Sequence, residues 1–232
     1  LTRLRAADNI QDVSQKIIDL HTHTTLSDGS ASPTELIERA CSKRAGAVAI
    51  TDHDTIGALG EARDAAAVLG IEFVPGIEIS AEYSPGTMHI LGYCIDDQSV
   101  ALREQLESLR RARQRRNPEI AARLRTLGMD LSYEEVAQLA GNEVVGRPHF
   151  ARAMVERGYA VSIQDAFNRF LKKGAVAYVE KARLSPGESI KLILDAGGVA
   201  VLAHPYQLMA GSYDAVDELI GELAELGLDG IE

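Results

Sequence analysis

Short apolar runs alternate with stretches of helical period over the first hundred residues of this chain. Residues 17–20, 47–50 and 72–75 read as strands. Between them, Ser32-Pro33-Thr34-Glu35 has the form of a capping box that opens a helix to about residue 43, and 57–69 predicts a second helix. Isoleucine and alanine alternate with polar residues through 77–83, and 87–94 is apolar again. Ser84-Pro85-Gly86 between these two runs is a hairpin turn signal. The strand–helix alternation that precedes the hairpin favours a parallel sheet with short crossovers.

From about 99 to 184 the period is helical. Leu102, Leu106 and Leu109 share one helical face, as do Ile120, Leu124 and Leu127. Ser132-Tyr133-Glu134-Glu135 is another capping box, and 151–157 and 163–171 predict further helices. Strand–helix alternation then returns. Ser185-Pro186-Gly187-Glu188 caps a helix through 196, 199–202 is a buried strand, 213–226 is a helix, and 229–232 starts another strand. The expected organisation is a polar leader at 1–16, an α/β body made of 17–98 and 185–232, and a helical insertion at 99–184.

Composition narrows the class. With 232 residues and 46% hydrophobic content the chain can bury a sizeable core. No apolar run approaches the roughly 18 residues of a membrane span, and no signal peptide is visible. Two cysteines, Cys41 and Cys94, make no disulfide framework and point to the cytoplasm. A net charge of −10 argues against a stable duplex DNA partner, while leaving room for a local basic patch. The start at Leu1 without methionine and the stop at Gly230-Ile231-Glu232 lead us to expect a fragment of a longer chain.

The histidines carry the candidate chemistry. There are six, and four of them follow expected strands: His21 and His23 the first, His53 the second, and His204 the strand at 199–202. His21 and His23 are two apart, so on a strand they face the same way. His89 lies in the apolar run 87–94 and would face Glu78 across the hairpin. Parallel α/β sheets build their sites at the carboxyl ends of strands, so this placement points to a metal centre. Asp28, Asp52, Asp54 and Glu78 fall in the same strand-end loops. Imidazole with carboxylate suits Zn²⁺, Mn²⁺ or Fe²⁺, and Glu78 is placed to bridge two ions. Asp54 reads equally as a ligand or as a loop carboxylate.

His21-x-His23, Ser27-Asp28-Gly29, Thr51-Asp52-His53-Asp54, Pro75-Gly76-Ile77-Glu78-Ile79-Ser80, His89-Ile90-Leu91-Gly92-Tyr93 and Ala203-His204-Pro205 together resemble the ordered motifs of the polymerase and histidinol phosphatase (PHP) superfamily. The insertion, with Gly146-Arg147-Pro148-His149, is similar to its branch associated with the tryptophan operon. The resemblance spans about residues 17–232. It implies an α/β fold of distorted (β/α)7 barrel type and two or three divalent metals. His21, His23 and Glu78 would hold the first, Glu78, His89 and His204 the second, and Asp28 and His53 a third. Asp52 would orient an imidazole, so Asp52, His53 and Glu78 form the expected catalytic group. The family's closing Gly-x-Asp-x-His motif would lie beyond Glu232, which leaves the barrel incomplete at its C-terminal side. The resemblance further implies hydrolysis of nucleoside 3′,5′-bisphosphates or short 5′-phosphorylated oligonucleotides by metal-activated hydroxide. Two alternatives share the motifs: a histidinol-phosphate phosphatase and a non-catalytic PHP scaffold module. No Gly-x-Ser-x-Gly elbow or Walker-type loop offers another route.

Residues 103–125 hold eight arginines against Glu104, Glu107 and Glu119, a positive stretch in an acidic chain. It reads either as a solvated helix face or as a phosphate-attracting flank. Arg147, His149 and Lys172 are the expected substrate-binding residues, Lys172 being, like Lys173, a weaker candidate than Arg147. His149 could equally begin a helix after Pro148.

Overall fold

Pro75 and Gly76 decide how the sheet is built. The computed structural model describes residues 17–140 and 145–232, so the expected leader lies outside the described residues. In chain order these form β1 (Ile17–Asp19), α1 (Pro33–Ser42), β2 (Ala45–Ile50), α2 (Leu59–Leu69), β3 (Glu72–Ala81) and β4 (Met88–Tyr93). The helices α3 (Val100–Thr126), α4 (Tyr133–Ala140), α5 (Arg147–Glu156) and α6 (Ile163–Ala166) follow, α6 running into a π-helical turn at Phe167–Leu171. The chain then gives α7 (Pro186–Asp195), β5 (Val199–Leu202), a 3₁₀ turn (Pro205–Leu208), α8 (Tyr213–Glu225) and β6 (Gly230–Ile231).

The strands lie side by side in sequence order from β1 to β6. The first half of β3 pairs in parallel with β2, from Ala47↔Glu72 to Ile50↔Pro75. From Gly76 onward the same strand is the antiparallel partner of β4, ending at Ala81↔Met88. A Cβ at Gly76 would stand 2.9 Å from Thr51 Cγ2 and 3.0 Å from the carbonyl oxygens of Ile50 and Gly92. Only glycine lets both neighbours close in at the handover. The sequence pattern places a break here. The structure shows one ten-residue strand, because Pro75-Gly76 changes the partner of the strand and not its direction. The sheet is therefore mixed: β4 is also antiparallel to β5, and β5 is parallel to β6.

β1 and β6 are opposite edges of this sheet, yet His21, just past β1, lies 2.8 Å from Glu232, just past β6. The sheet thus curls until its edges meet at the end where the loops carry histidines. Helices α1, α2 and α7 pack on it through Ile37, Leu59, Ala62, Ile190 and Ile193. The capping boxes expected at Ser32 and Ser185 both close, with Glu35 and Glu188 as the reciprocal partners.

The two apolar stripes expected between 102 and 127 belong to one 27-residue helix, which runs through Pro118. Its first turns send Leu102, Leu106 and Leu109 into the core of the sheet. Its last turns send Ile120 and Leu124 into a second cluster with Val136, Phe150, Met154 and Leu171. Leu127 caps the helix and is exposed, outside the stripe where the spacing puts it. Helix α5 begins four residues ahead of the expected start at 151, because Arg147-Pro148-His149 is itself the first turn. Among the described residues no helix is long and apolar enough to cross a membrane.

Candidate metal centre

The loop after β1 is tied down by one carboxylate. Asp52 Oδ1 accepts from the Thr24 backbone N–H and the Ser27 hydroxyl, and Oδ2 accepts from the Thr24 hydroxyl, each at 2.6 Å. Ser27 Oγ in turn stands 3.5 Å from His23 Nδ1. The sequence suggests that Asp52 orients an imidazole directly. In the structure its partners among the described residues are Thr24 and Ser27, and it reaches His23 through the serine. Charge-assisted bonds of this kind lose the most when the acceptor is removed and the donors stay buried. Asp52→Ala is expected to cost about 3 kcal/mol. That lowers the thermal midpoint by roughly 6–12 °C for a chain of this length. Calorimetry would check it, and an unchanged midpoint would remove the pinning role.

The loop after β2 is stitched to β3 in the same way. The Glu78 N–H donates to the Asp52 carbonyl (3.2 Å), and the Asp54 N–H donates to the Glu78 carbonyl (2.9 Å). Asp54 sits at φ 53 and is buried, its carboxylate accepting from the Ser80 N–H at 2.9 Å and the Ser80 hydroxyl at 2.8 Å. Of its two readings, this is the loop carboxylate.

Glu78 itself is fully buried, at the centre of five imidazoles. Its Oε1 lies 2.8 Å from His89 Nδ1 and 2.9 Å from His204 Nε2. Its Oε2 lies 3.0 Å from His53 Nδ1 and 3.3 Å from Nε2 of both His21 and His23. Neighbouring rings follow one another at centroid distances of 4.7–5.7 Å in the closed order 21, 23, 53, 89, 204. In strand register Glu78 opposes Leu91, and His89 opposes Ser80, so His89 meets the carboxylate diagonally. His204 takes part from a left-handed backbone, φ 30, a conformation that costs a non-glycine residue of the order of 1–3 kcal/mol. Asp28 stands at the rim, two-thirds exposed, 3.5 Å from His53 and 3.6 Å from His23.

Charge is distributed unevenly round the ring. Burial alone would raise the Glu78 carboxyl, but the imidazoles of His21, His53 and His89 close against it hold it far below the usual carboxylate range. Glu78 raises His21 to about 9 against the opposing effect of burial, with Glu232 adding to the rise. Burial opposes a charge on His53, yet Glu78, Asp28 and Asp54 together leave it raised. His23 goes down, through burial and the neighbouring His53.

The donor set fits divalent cations. Glu78 Oε2, His53 Nδ1 and His204 Nδ1 are buried without a hydrogen-bond partner. Glu78 Oε2 and His53 Nδ1 are near enough for an ion pair but not aligned as donor and acceptor. Such convergence without alignment is costly, at about 1–3 kcal/mol per buried polar atom, and a cation between the donors relieves it. Two triplets bring one ligand atom from each residue within 4.8 Å of one another: His21, Glu78 and His204, and His23, His53 and Glu78. This partition differs from the one that the family resemblance implies, although Glu78 is shared in both.

A cleft of about 910 Å³ opens from the His53–His89 side of the ring and runs beneath α3 and α5. Arg103, Arg110, Arg116, Arg147 and Lys181 line it. The arginine-rich stretch therefore divides. Arg111 is paired with Glu107 one turn away, as on a solvated face, while Arg110 shares Glu107 at the cleft wall and Arg123 joins Glu119 to the Tyr178 carbonyl. Arg116 turns inward, half-buried, its Nε donating to the Val179 carbonyl at 3.1 Å. Burial and the neighbouring Arg147 depress its pKa. Arg147 lies over the Tyr178 ring at 5.2 Å and donates to the Leu171 carbonyl at 3.1 Å.

Two of the expected substrate residues lie elsewhere. His149 Nδ1 accepts from the Gly146 N–H at 3.0 Å, so it caps α5 and begins the helix. Lys172 is exposed at the end of the π-helical turn and outside the cleft, where Lys181 stands instead. The spacing of the chain shows nothing that would single out Lys181. Glu232, which the sequence reading also passed over, occupies a strand-end position like those of the other acids.

A buried carboxylate ringed by imidazoles at the strand ends of a curled α/β sheet defines the site of a metal-dependent hydrolase. The chain belongs to the PHP domain family, whose pattern matches residues 19–231. It is 37% identical to the 3′,5′-nucleoside bisphosphate phosphatase of Chromobacterium violaceum, over 93% of this chain and 75% of that protein. It is 38% identical to the 5′-3′ exoribonuclease Rnm of Escherichia coli, over 93% of this chain and 74% of that one. Among solved structures, an amidohydrolase from Chromobacterium violaceum with bound sulfate and no metal superposes with a TM-score of 0.69 at 36% identity, covering 92% of this chain and 75% of that one. The fold is an incomplete, distorted (β/α) barrel of this family's type, built among the described residues on one six-stranded mixed sheet.

Proposed function

We propose that this chain hydrolyses phosphate esters of nucleotides, with nucleoside 3′,5′-bisphosphates and short 5′-phosphorylated oligonucleotides as its substrate class. The observation that carries this reading is the junction of the imidazole ring with the basic cleft. One phosphate can sit at the ions held where the cleft meets His53 and His89, while a second lies toward Arg116 and Arg147. Two guanidinium groups held close under partial burial favour an anion between them. The relatives named for nucleoside bisphosphate and for 5′-3′ exoribonuclease activity support the same substrates.

In this reading His21, His23, Asp28, His53, Glu78, His89 and His204 hold two or three Mn²⁺, Zn²⁺ or Fe²⁺ ions. When bound, such ions supply Lewis acidity, drawing charge from phosphoryl oxygens and acidifying water. The protein's own part is positional. Asp52 and Ser27 hold the His23 loop, Glu78 supplies negative charge that two cations can share, and the Tyr178 ring and the Leu171 carbonyl hold the Arg147 guanidinium at the cleft. A cytoplasmic setting goes with this reading, since Cys41 and Cys94 are free thiols.

The test is phosphate release from adenosine 3′,5′-bisphosphate and from a 5′-phosphorylated tetranucleotide by the Mn²⁺-loaded protein, with chelator as control. Release that the chelator abolishes is expected. No release from either substrate would end the proposal.

A further inference from the structure

Glu232 touches two members of the imidazole ring from outside. Its Oε1 is 2.8 Å from His21 Nδ1, the ring nitrogen opposite the one that faces Glu78. Its Oε2 accepts from the His204 backbone N–H at 3.2 Å. His204 is the residue held at φ 30, so this bond helps to fix a strained backbone whose side chain points back to Glu78. One carboxylate thus grips one imidazole by its outer nitrogen and another by its main chain, across the line where β1 and β6 approach.

We propose that Glu232 is a positioning residue for the metal centre. An imidazole that binds a cation through one nitrogen is fixed in tautomer and orientation by an acceptor on the other. Glu232 keeps a proton on His21 Nδ1, leaving the Nε2 lone pair for a cation beside Glu78. Through the His204 N–H it sets the second imidazole of the same donor triplet, His21, Glu78 and His204. Glu232 faces the outer side of His21 and is absent from that triplet, so its work is done through the histidines. The inference rests on the metal-centre reading above.

The experiment is a Mn²⁺ titration followed by the electron paramagnetic resonance signal of the free ion, on the wild-type chain, Glu232→Ala and Glu232→Gln. The alanine variant is expected to bind as many ions, with the affinity of one site weakened about 10–100-fold. Glutamine keeps one acceptor oxygen, enough for one of the two N–H groups, and turns its amide donor toward the other, so it should recover only part of that loss. The thermal midpoint of the metal-free chain should move little, which separates positioning from a general loss of structure. Affinities equal within about twofold in the alanine variant overturn the proposal. So does loss of a whole site in both variants, which would make Glu232 a ligand in its own right. A wild-type chain that binds no Mn²⁺ refutes the metal reading instead, and that outcome is visible before any variant is compared.

Discussion

Glu78→Gln is expected to abolish phosphate release, by on the order of 10³-fold or more, and to remove both cation triplets together. Substituting an outer partner of a metal ligand costs about 10–100-fold. Glu78 is shared by both triplets and lies within 2.8–3.3 Å of five imidazoles, so its loss should exceed that range. Glutamine has nearly the same volume, so the surrounding packing is kept and the fold should survive. The amide carries no charge to share between two cations. Its nitrogen is a donor, turned toward atoms that would otherwise converge on a cation. Phosphate release and Mn²⁺ stoichiometry, measured on one preparation with a circular dichroism spectrum as fold control, check the prediction. A variant that kept a tenth of the activity, or the full complement of ions, would mean that the centre is organised around some other group.

Arg147→Ala should act on binding. Its guanidinium lines the cleft, oriented by Tyr178 and the Leu171 carbonyl, beside the half-buried Arg116. A hydrogen bond to a charged group contributes about 1.5–3 kcal/mol, which is roughly 10–150-fold in affinity. The expected result is a KM for adenosine 3′,5′-bisphosphate raised by about that factor. Turnover of p-nitrophenyl phosphate, which has one phosphate, should be nearly unchanged. Lysine at 147 should restore only part of the affinity, because it lacks the planar fork and stacks poorly on tyrosine. Equal losses on both substrates would place Arg147 in the chemistry or the fold, and the two-phosphate reading of the cleft would fail.

The donor residues were legible because they are few and strand-end positions are readable. Five of the six histidines come together around Glu78 in the structure, and the sixth, His149, turns out to cap a helix. Rare residue types at the ends of apolar runs carry most of that information. What depended on tertiary packing was not legible. The spacing of residues 103–125 cannot say which arginines turn inward, since that follows from the rotation of α3 against the segment that returns past Tyr178 and Val179. For the same reason the spacing points to Lys172 and not to Lys181, which lines the cleft. Asp52 was placed correctly beside the site, but its partners lie 25 and 28 residues away in sequence and are joined only by the parallel pairing of β1 with β2. The merging of two expected strands into β3 escaped because Pro-Gly reads locally as a break, and only the presence of a new partner on the other side makes it a handover.

Helix α3 enters two apolar clusters that share no residue, one under the sheet and one among α4, α5 and the π-helical turn. The roof of the cleft and its floor are therefore anchored in different cores, with a single long helix as the beam between them. Damage to packing around Phe150 or Met154 would loosen the roof while leaving the imidazole ring in register. Lineages could accordingly rebuild the roof for ligands of new shape and inherit the catalytic floor unaltered.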